Sequence, residues 1–187
     1  MSDIKTAIMD AAERRIMAGG FGAFSFRDIA AEVGVKSSSV HYHFPTKEDL
    51  TAAVIRRYTE TVSEYLDKQL AKNPDPVRVW TKALRNVVLS DARMCPCTVL
   101  GAAAQDLPEQ VAAEVKRFFQ MHKDKMTAAG LSPNKAAELL STLTGAMLVA
   151  NALGDRGEYD RATKGRLPIG SHPFALLRGE KAARTAG

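Results

Sequence analysis

Three groups of side chains in this sequence are of types and spacings that do chemistry. The first is the run Lys36-Ser37-Ser38-Ser39 with His41, Tyr42 and His43 just after it. Small hydroxyls approach a base edge or a phosphate closely, and a lysine reaches either. The ordinary alternative is helix capping and solubility. The flanking pattern favours nucleic-acid contact, with Arg27 and Lys47 as further candidates on either side. The second group is His41-x-His43 and Cys95-x-Cys97. Neither has a structural-zinc spacing and the two lie far apart in the chain, so no metal is expected. Arg93, two residues from Cys95, offers a cation that acidifies a thiol, although a buried and inert cysteine is the commoner outcome. The third group is apolar: Trp80, Met94, Cys97, Leu100, Phe118, Phe119, His122, Met126 and Met147. These are candidates for a ligand pocket, and each serves equally well as plain core. His122 is a lone imidazole among Phe and Met. It is either a satisfied core histidine or a polar group that orients a mainly apolar ligand. No nucleophile–base pair, paired carboxylates or glycine-rich phosphate loop stands out, so neither an enzyme nor a cofactor is expected.

The elements that position the first group follow from local rules. Ser25 with Asp28 forms a capping-box pattern, and Ile29, Ala30 and Val33 recur at helical spacing behind it. Gly34 ends that helix, since it tolerates the left-handed backbone of a tight interhelical turn. Val35 anchors the turn. In the next helix Val40 and Phe44 share one face, leaving hydroxyls and cations on the other. This is a helix-turn-helix whose second helix suits a major groove. Pro45 closes it, and Thr46 with Asp49 caps a long helix with Leu50, Val54, Tyr58, Val62, Tyr65, Leu66 and Leu70 along its stripe.

The run V-K-S-S-S-V-H-Y-H-F-P-T-K-E-D-L resembles the helix-turn-helix of the TetR/AcrR transcriptional regulators. Gly34, Val35, Val40, His43, Phe44, Lys47 and Leu50 match the family pattern. Lys36 stands where serine is common, and His41 replaces a habitual tyrosine that holds a DNA phosphate in the family, with Tyr42 following at once. The likeness is specific over roughly the first sixty residues and implies a DNA-binding regulator, most often a repressor. It implies Arg27, Lys36, Ser37, Ser38, Ser39, His41, Tyr42, His43 and Lys47 as DNA contacts. The implied partners are a palindromic double-stranded operator, a small-molecule effector and a second copy of the chain. A thiol-triggered regulator using Cys95 or Cys97, and a helical enzyme or adaptor, are the alternatives.

Around this motif the chain reads as all-α. A first helix runs from about Asp3 to Ala18, with Ile4, Ile8, Ala11, Ala12 and Ile16 on one face, and Phe21 and Phe24 plug the small core after it. Asp75-Pro76 opens a helix through Trp80 to about Arg93. Cys95-Pro96-Cys97 interrupts, an Ala-rich segment follows, and Pro108-Glu109 starts a helix that ends at Gly130. Ser132-Pro133 opens the last long helix, apolar nearly all round, up to Gly154. Such a helix needs two buried faces. A homodimer interface supplies the second, with Leu139, Leu143, Leu148 and Leu153 as its candidates. Glu158 to Arg166 adds a short helix. The expected domains are a DNA-binding unit over 1–46, an effector and dimerisation unit over 47–166 with helix 46–72 as the link, and an irregular tail over 167–187.

Length and charge set the outer bounds. At 187 residues the chain buries a proper core. No charge-free apolar run of membrane-spanning length and no signal-like N-terminus is present, so a cytoplasmic protein without membrane contact is expected. The net charge is +5, yet residues 1–50 hold six Lys/Arg against seven Asp/Glu. The DNA reading therefore rests on where single cations sit and not on bulk charge.

Overall fold

The structure, a computed structural model, describes residues 4–90 and 94–164. All of its regular elements are helical: α1 (Ile4–Gly19), α2 (Phe26–Val33), α3 (Ser37–His43), α4 (Lys47–Leu70), α5 (Pro76–Leu89), α6 (Pro96–Gly101), α7 (Glu109–Ala128), α8 (Pro133–Leu153) and α9 (Gly157–Thr163). The all-α reading holds, with no strand among the described residues. The tail over 167–187 and Arg93 lie outside the described residues.

The helix ends form where the side chains dictate. At α2 the Asp28 N–H donates to Ser25 Oγ at 3.3 Å, and the Ser25 N–H donates to Asp28 Oδ2 at 2.8 Å. Thr46 and Asp49 repeat this reciprocal pair at the start of α4, both bonds at 3.1 Å. Asp75 caps α5, with Pro76 as its first residue. Gly34 ends α2 at φ 78°, a conformation that a β-carbon disfavours. Cys95-Pro96-Cys97 departs from the expected interruption. Pro96 begins α6 there, because its missing N–H and fixed φ suit a first helical position.

Helices α1, α2 and α3 close on a small head core that holds Ile8, Ile16, Ile29, Val40 and Phe44. Phe24 is buried, whereas Phe21 is only partly buried against the core. The body is built from α4, α5, α7 and α8, and α4 packs most extensively against α7. Helix α9 closes α5 and α8: Tyr159 is fully buried and its hydroxyl donates to the Thr81 carbonyl at 3.0 Å.

Leu139 and Leu143, expected at a dimer interface, are buried within the single chain at 3% and 0% exposure. They belong to the inward face of α8 with Ala136, Ala146, Met147 and Ala150. Leu148, Val149 and Leu153 are instead exposed, at 49%, 49% and 65%. At 21 residues α8 is long and apolar enough to cross a membrane by length and composition. Its inward face is packed on α5, α7 and α9.

The cap at Thr46 fixes where α4 leaves the head. Thr46→Ala is expected to cost about 1 kcal/mol. Urea unfolding should show a lower midpoint at unchanged slope; an unaltered midpoint would mean that the cap contributes nothing.

Candidate nucleic-acid interface and ligand cavity

The head presents the residues of α3 to solvent in a graded way. Lys36 is the exposed N-cap, Ser38, His41 and Tyr42 are exposed, and Ser37, Ser39 and His43 are half-buried. Tyr42 is the outermost at 85% exposure. The His41 ring meets Phe26 edge-on at 4.7 Å, and the His43 ring meets Tyr42 at 5.2 Å. His43 therefore lies against Tyr42.

The cations of the head sort themselves by their partners. Arg14 and Arg15 are both engaged by Glu32, at 2.9 and 2.8 Å. Lys47 folds back so that its ammonium sits 4.6 Å from the ring centres of both Phe21 and Phe24. Burial lowers its pKa, against the opposing fields of Glu48 and Asp28. In this position it staples α4 to the turn after α1. Arg27 is exposed at the start of α2, and neither it nor Lys36 forms an ion pair among the described residues. The two unengaged cations thus flank the hydroxyls of α3.

In the body, α4, α5, α6, α7 and α8 line a half-open cavity of about 360 Å³. Of the expected pocket residues, Phe118, Phe119, His122 and Met147 line it. Trp80, Met94, Cys97, Leu100 and Met126 are buried but do not appear in its lining. Cys95, the N-cap of α6, lines it in place of Cys97. Sequence reasoning missed the α4 wall (Tyr58, Thr61, Val62, Tyr65, Leu66) and the α5 wall (Ala83, Leu84, Asn86, Val87). The available signal was the apolar stripe of α4, which reads as core when nothing marks a gap beside it.

Aromatic rings dominate the interior. Phe118 is central: it lies 4.5 Å from the His122 ring, 5.4 Å from Phe119 and 5.8 Å from Tyr58. No Asp, Glu, Lys or Arg stands in the lining. The Trp80 indole N–H donates to His122 Nδ1 at 2.9 Å. Burial, with the Lys125 charge nearby, pushes the His122 pKa down to about 4, so its imidazole is neutral at neutral pH. Burial opposes ionisation of Cys95, but hydrogen bonds from the Cys97 thiol, the Thr98 N–H and the Tyr58 hydroxyl outweigh it and lower its pKa. Burial and the Cys95 sulfur raise that of Cys97. Both cysteines are free, and no group of metal-ligating side chains occurs among the described residues.

Cavity and head meet through α4. Arg57 pairs with Asp10 at 2.7 Å and with Glu13 at 2.8 Å, both on α1. Tyr58, the next residue, lines the cavity. Arg56 holds Glu114 of α7 at 2.6 Å.

A helix-turn-helix head fixed by one long helix to a helical body with a half-open cavity defines a DNA-binding regulator with a sensing domain. Residues 8–54 match the family model "Bacterial regulatory proteins, tetR family". A TetR-family transcriptional regulator from Agrobacterium tumefaciens is 28% identical, with a TM-score of 0.80 over 87% of this chain and 94% of that one. A TetR transcriptional regulator from Legionella pneumophila is 27% identical, with a TM-score of 0.80 over 89% and 96%. The reduced form of Escherichia coli NemR shares the fold at 16% identity, with a TM-score of 0.76 over 88% and 95%. No curated protein matches the sequence. The head thus matches the tetR family model, and the chain as a whole is similar in sequence and fold to TetR-family transcriptional regulators.

The buried imidazole has a consequence for stability. Its pKa is about 4 in the folded chain against 6.5 as the ordinary value. Between these values the unfolded chain binds a proton that the folded chain refuses, so stability falls as pH drops through that window. The loss is complete below the lower value and amounts to about 3 kcal/mol. In His122→Gln, urea midpoints taken at neutral pH and near pH 4 should converge relative to wild type. An equal pH dependence in both proteins would contradict the assignment.

Proposed function

We propose that this regulator is a homodimeric repressor that leaves a palindromic operator when a small molecule fills the cavity in its body. The observation that carries the reading is the adjacency of Arg57 and Tyr58 on α4, one tied to the head and the other facing the cavity. Residues 1–46 then form the DNA-binding unit, and 47–166 the sensing and dimerising unit. The outward face of α8, with Leu148, Val149 and Leu153 exposed, supports pairing there. DNA contact falls to Arg27, Lys36, Ser37, Ser38, His41 and Tyr42. Ser39 and His43, half-buried like Ser37, complete that surface. Lys47 acts at one remove, because its ammonium is seated on Phe21 and Phe24.

A ligand that fills the cavity shifts the equilibrium only if it prefers one arrangement of α4 over the other. A second reading, a thiol-responsive regulator, draws support from Cys95, whose lowered pKa and place in the cavity wall make it the more reactive of the two cysteines.

Fluorescence anisotropy on duplex DNA from immediately upstream of the chain's own gene tests the proposal. Affinity should fall steeply with salt. Lys36→Ala should weaken binding several-fold and reduce the salt slope by about 1. Weak binding that the variant leaves unchanged would count against α3 as the recognition helix. In the same assay, oxidant that releases wild type but not Cys95→Ser would favour the thiol reading.

A further inference from the structure

The cavity carries information about what fills it. This inference rests on the reading of the body as a sensing domain. We propose that the ligand is an uncharged, mainly apolar molecule bearing a carbonyl-type hydrogen-bond acceptor, and that the Nε2–H of His122 receives that acceptor.

Trp80 sets the tautomer of His122. A neutral imidazole carries one N–H and one bare nitrogen. Trp80 offers only a donor, and it points at Nδ1 from 2.9 Å. Nδ1 is therefore the bare nitrogen, and the proton sits on Nε2. Trp80 is itself fully buried and His122 is 3% exposed, so packing holds this arrangement from behind. No described residue accepts from Nε2. Nor is that nitrogen sealed in the interior: the buried side-chain polar atoms left without a partner are Thr81 Oγ1 and Glu114 Oε2. The small part of His122 that stays accessible, in a residue of the cavity wall, includes its donor nitrogen.

Several other polar groups of the wall hold partners, whereas the Tyr65, Thr98 and Thr144 hydroxyls donate to no described residue and rotate freely. The Thr61 hydroxyl donates to the Arg57 carbonyl at 3.0 Å, and Ser90 Oγ donates to the Val87 carbonyl at 2.7 Å. The Tyr65 hydroxyl accepts from Asn86 at 3.3 Å. His122 is the donor that the fold fixes in direction. A donor of this kind rejects a cation, and the lining holds no lysine or arginine to pair with an anion, the nearby Lys125 being held by Asp67. The remaining selection is for an acceptor on an apolar body, and the rings of Phe118 and Phe119 offer edges and faces for an aromatic one.

The test uses three matched probes: benzophenone, diphenylmethane and benzoylbenzoate. Trp80 is the chain's one tryptophan and is bonded to His122, so its fluorescence reports occupancy in the full-length protein without DNA. Titration calorimetry supplies the affinities. Wild type should bind the ketone about tenfold more tightly than the hydrocarbon, and the carboxylate least. His122→Leu should bind ketone and hydrocarbon alike. His122→Gln, whose amide accepts from Trp80 and still donates, should keep the preference. Equal affinity of wild type for ketone and hydrocarbon, preference for the carboxylate, or binding of none would overturn the proposal; these comparisons hold even if a variant fails to fold. Ketone preference without any effect on DNA affinity would uphold the ligand class and count against the regulatory reading alone.

Discussion

The structure depends on one helix serving two cores. Helix α4 starts inside the head, where Leu50, Val54 and Ile55 are buried, and goes on to form a wall of the body. Apolar packing is continuous from the head into the body, with α1 set against α4 and α6, and ion pairs add to it. Arg57 holds Asp10 and Glu13 of α1, and Arg56 holds Glu114 of α7. Partly exposed pairs of this kind contribute at most about 1 kcal/mol each. That magnitude matters. A ligand's preference between two arrangements, typically about 1–3 kcal/mol of coupling, is of the same order.

The polar groups inside the body divide into those that stabilise and those left available. Trp80 donates to Nδ1 of His122, and no described residue accepts from the other ring nitrogen of this cavity-lining residue. Glu114 is 9% exposed and bonded at Oε1 by Arg56, while Oε2 finds Arg117 only at 3.7 Å, too long for a hydrogen bond. Such half-satisfied groups are where a second arrangement costs little. Both lie on α7, the helix against which α4 packs most extensively.

Much of this was legible in the sequence, because local chemistry decided it. The Ser25–Asp28 and Thr46–Asp49 boxes, the Gly34 turn and the Asp75-Pro76 start appear in the structure where the side chains call for them. What escaped were features set by three-dimensional placement. Leu139 and Leu148 are both leucines of one apolar helix, and only packing decides that the first is core and the second exposed. Cys95 and Cys97 are both buried two residues apart, and only the first lines the cavity. Lys47 read as a free cation at a helix start. Two rings distant by some twenty residues, Phe21 and Phe24, claim it instead.

The central claim is that cavity occupancy moves the heads. Spin labels on Ala31→Cys, an exposed position on α2, would report the distance between the two heads of a dimer by pulsed electron resonance. On operator DNA the account predicts a narrow distribution consistent with half-sites one helical turn, about 34 Å, apart. Saturating the cavity with benzophenone should displace or broaden that distribution. A distribution indifferent to a filled cavity would contradict the account.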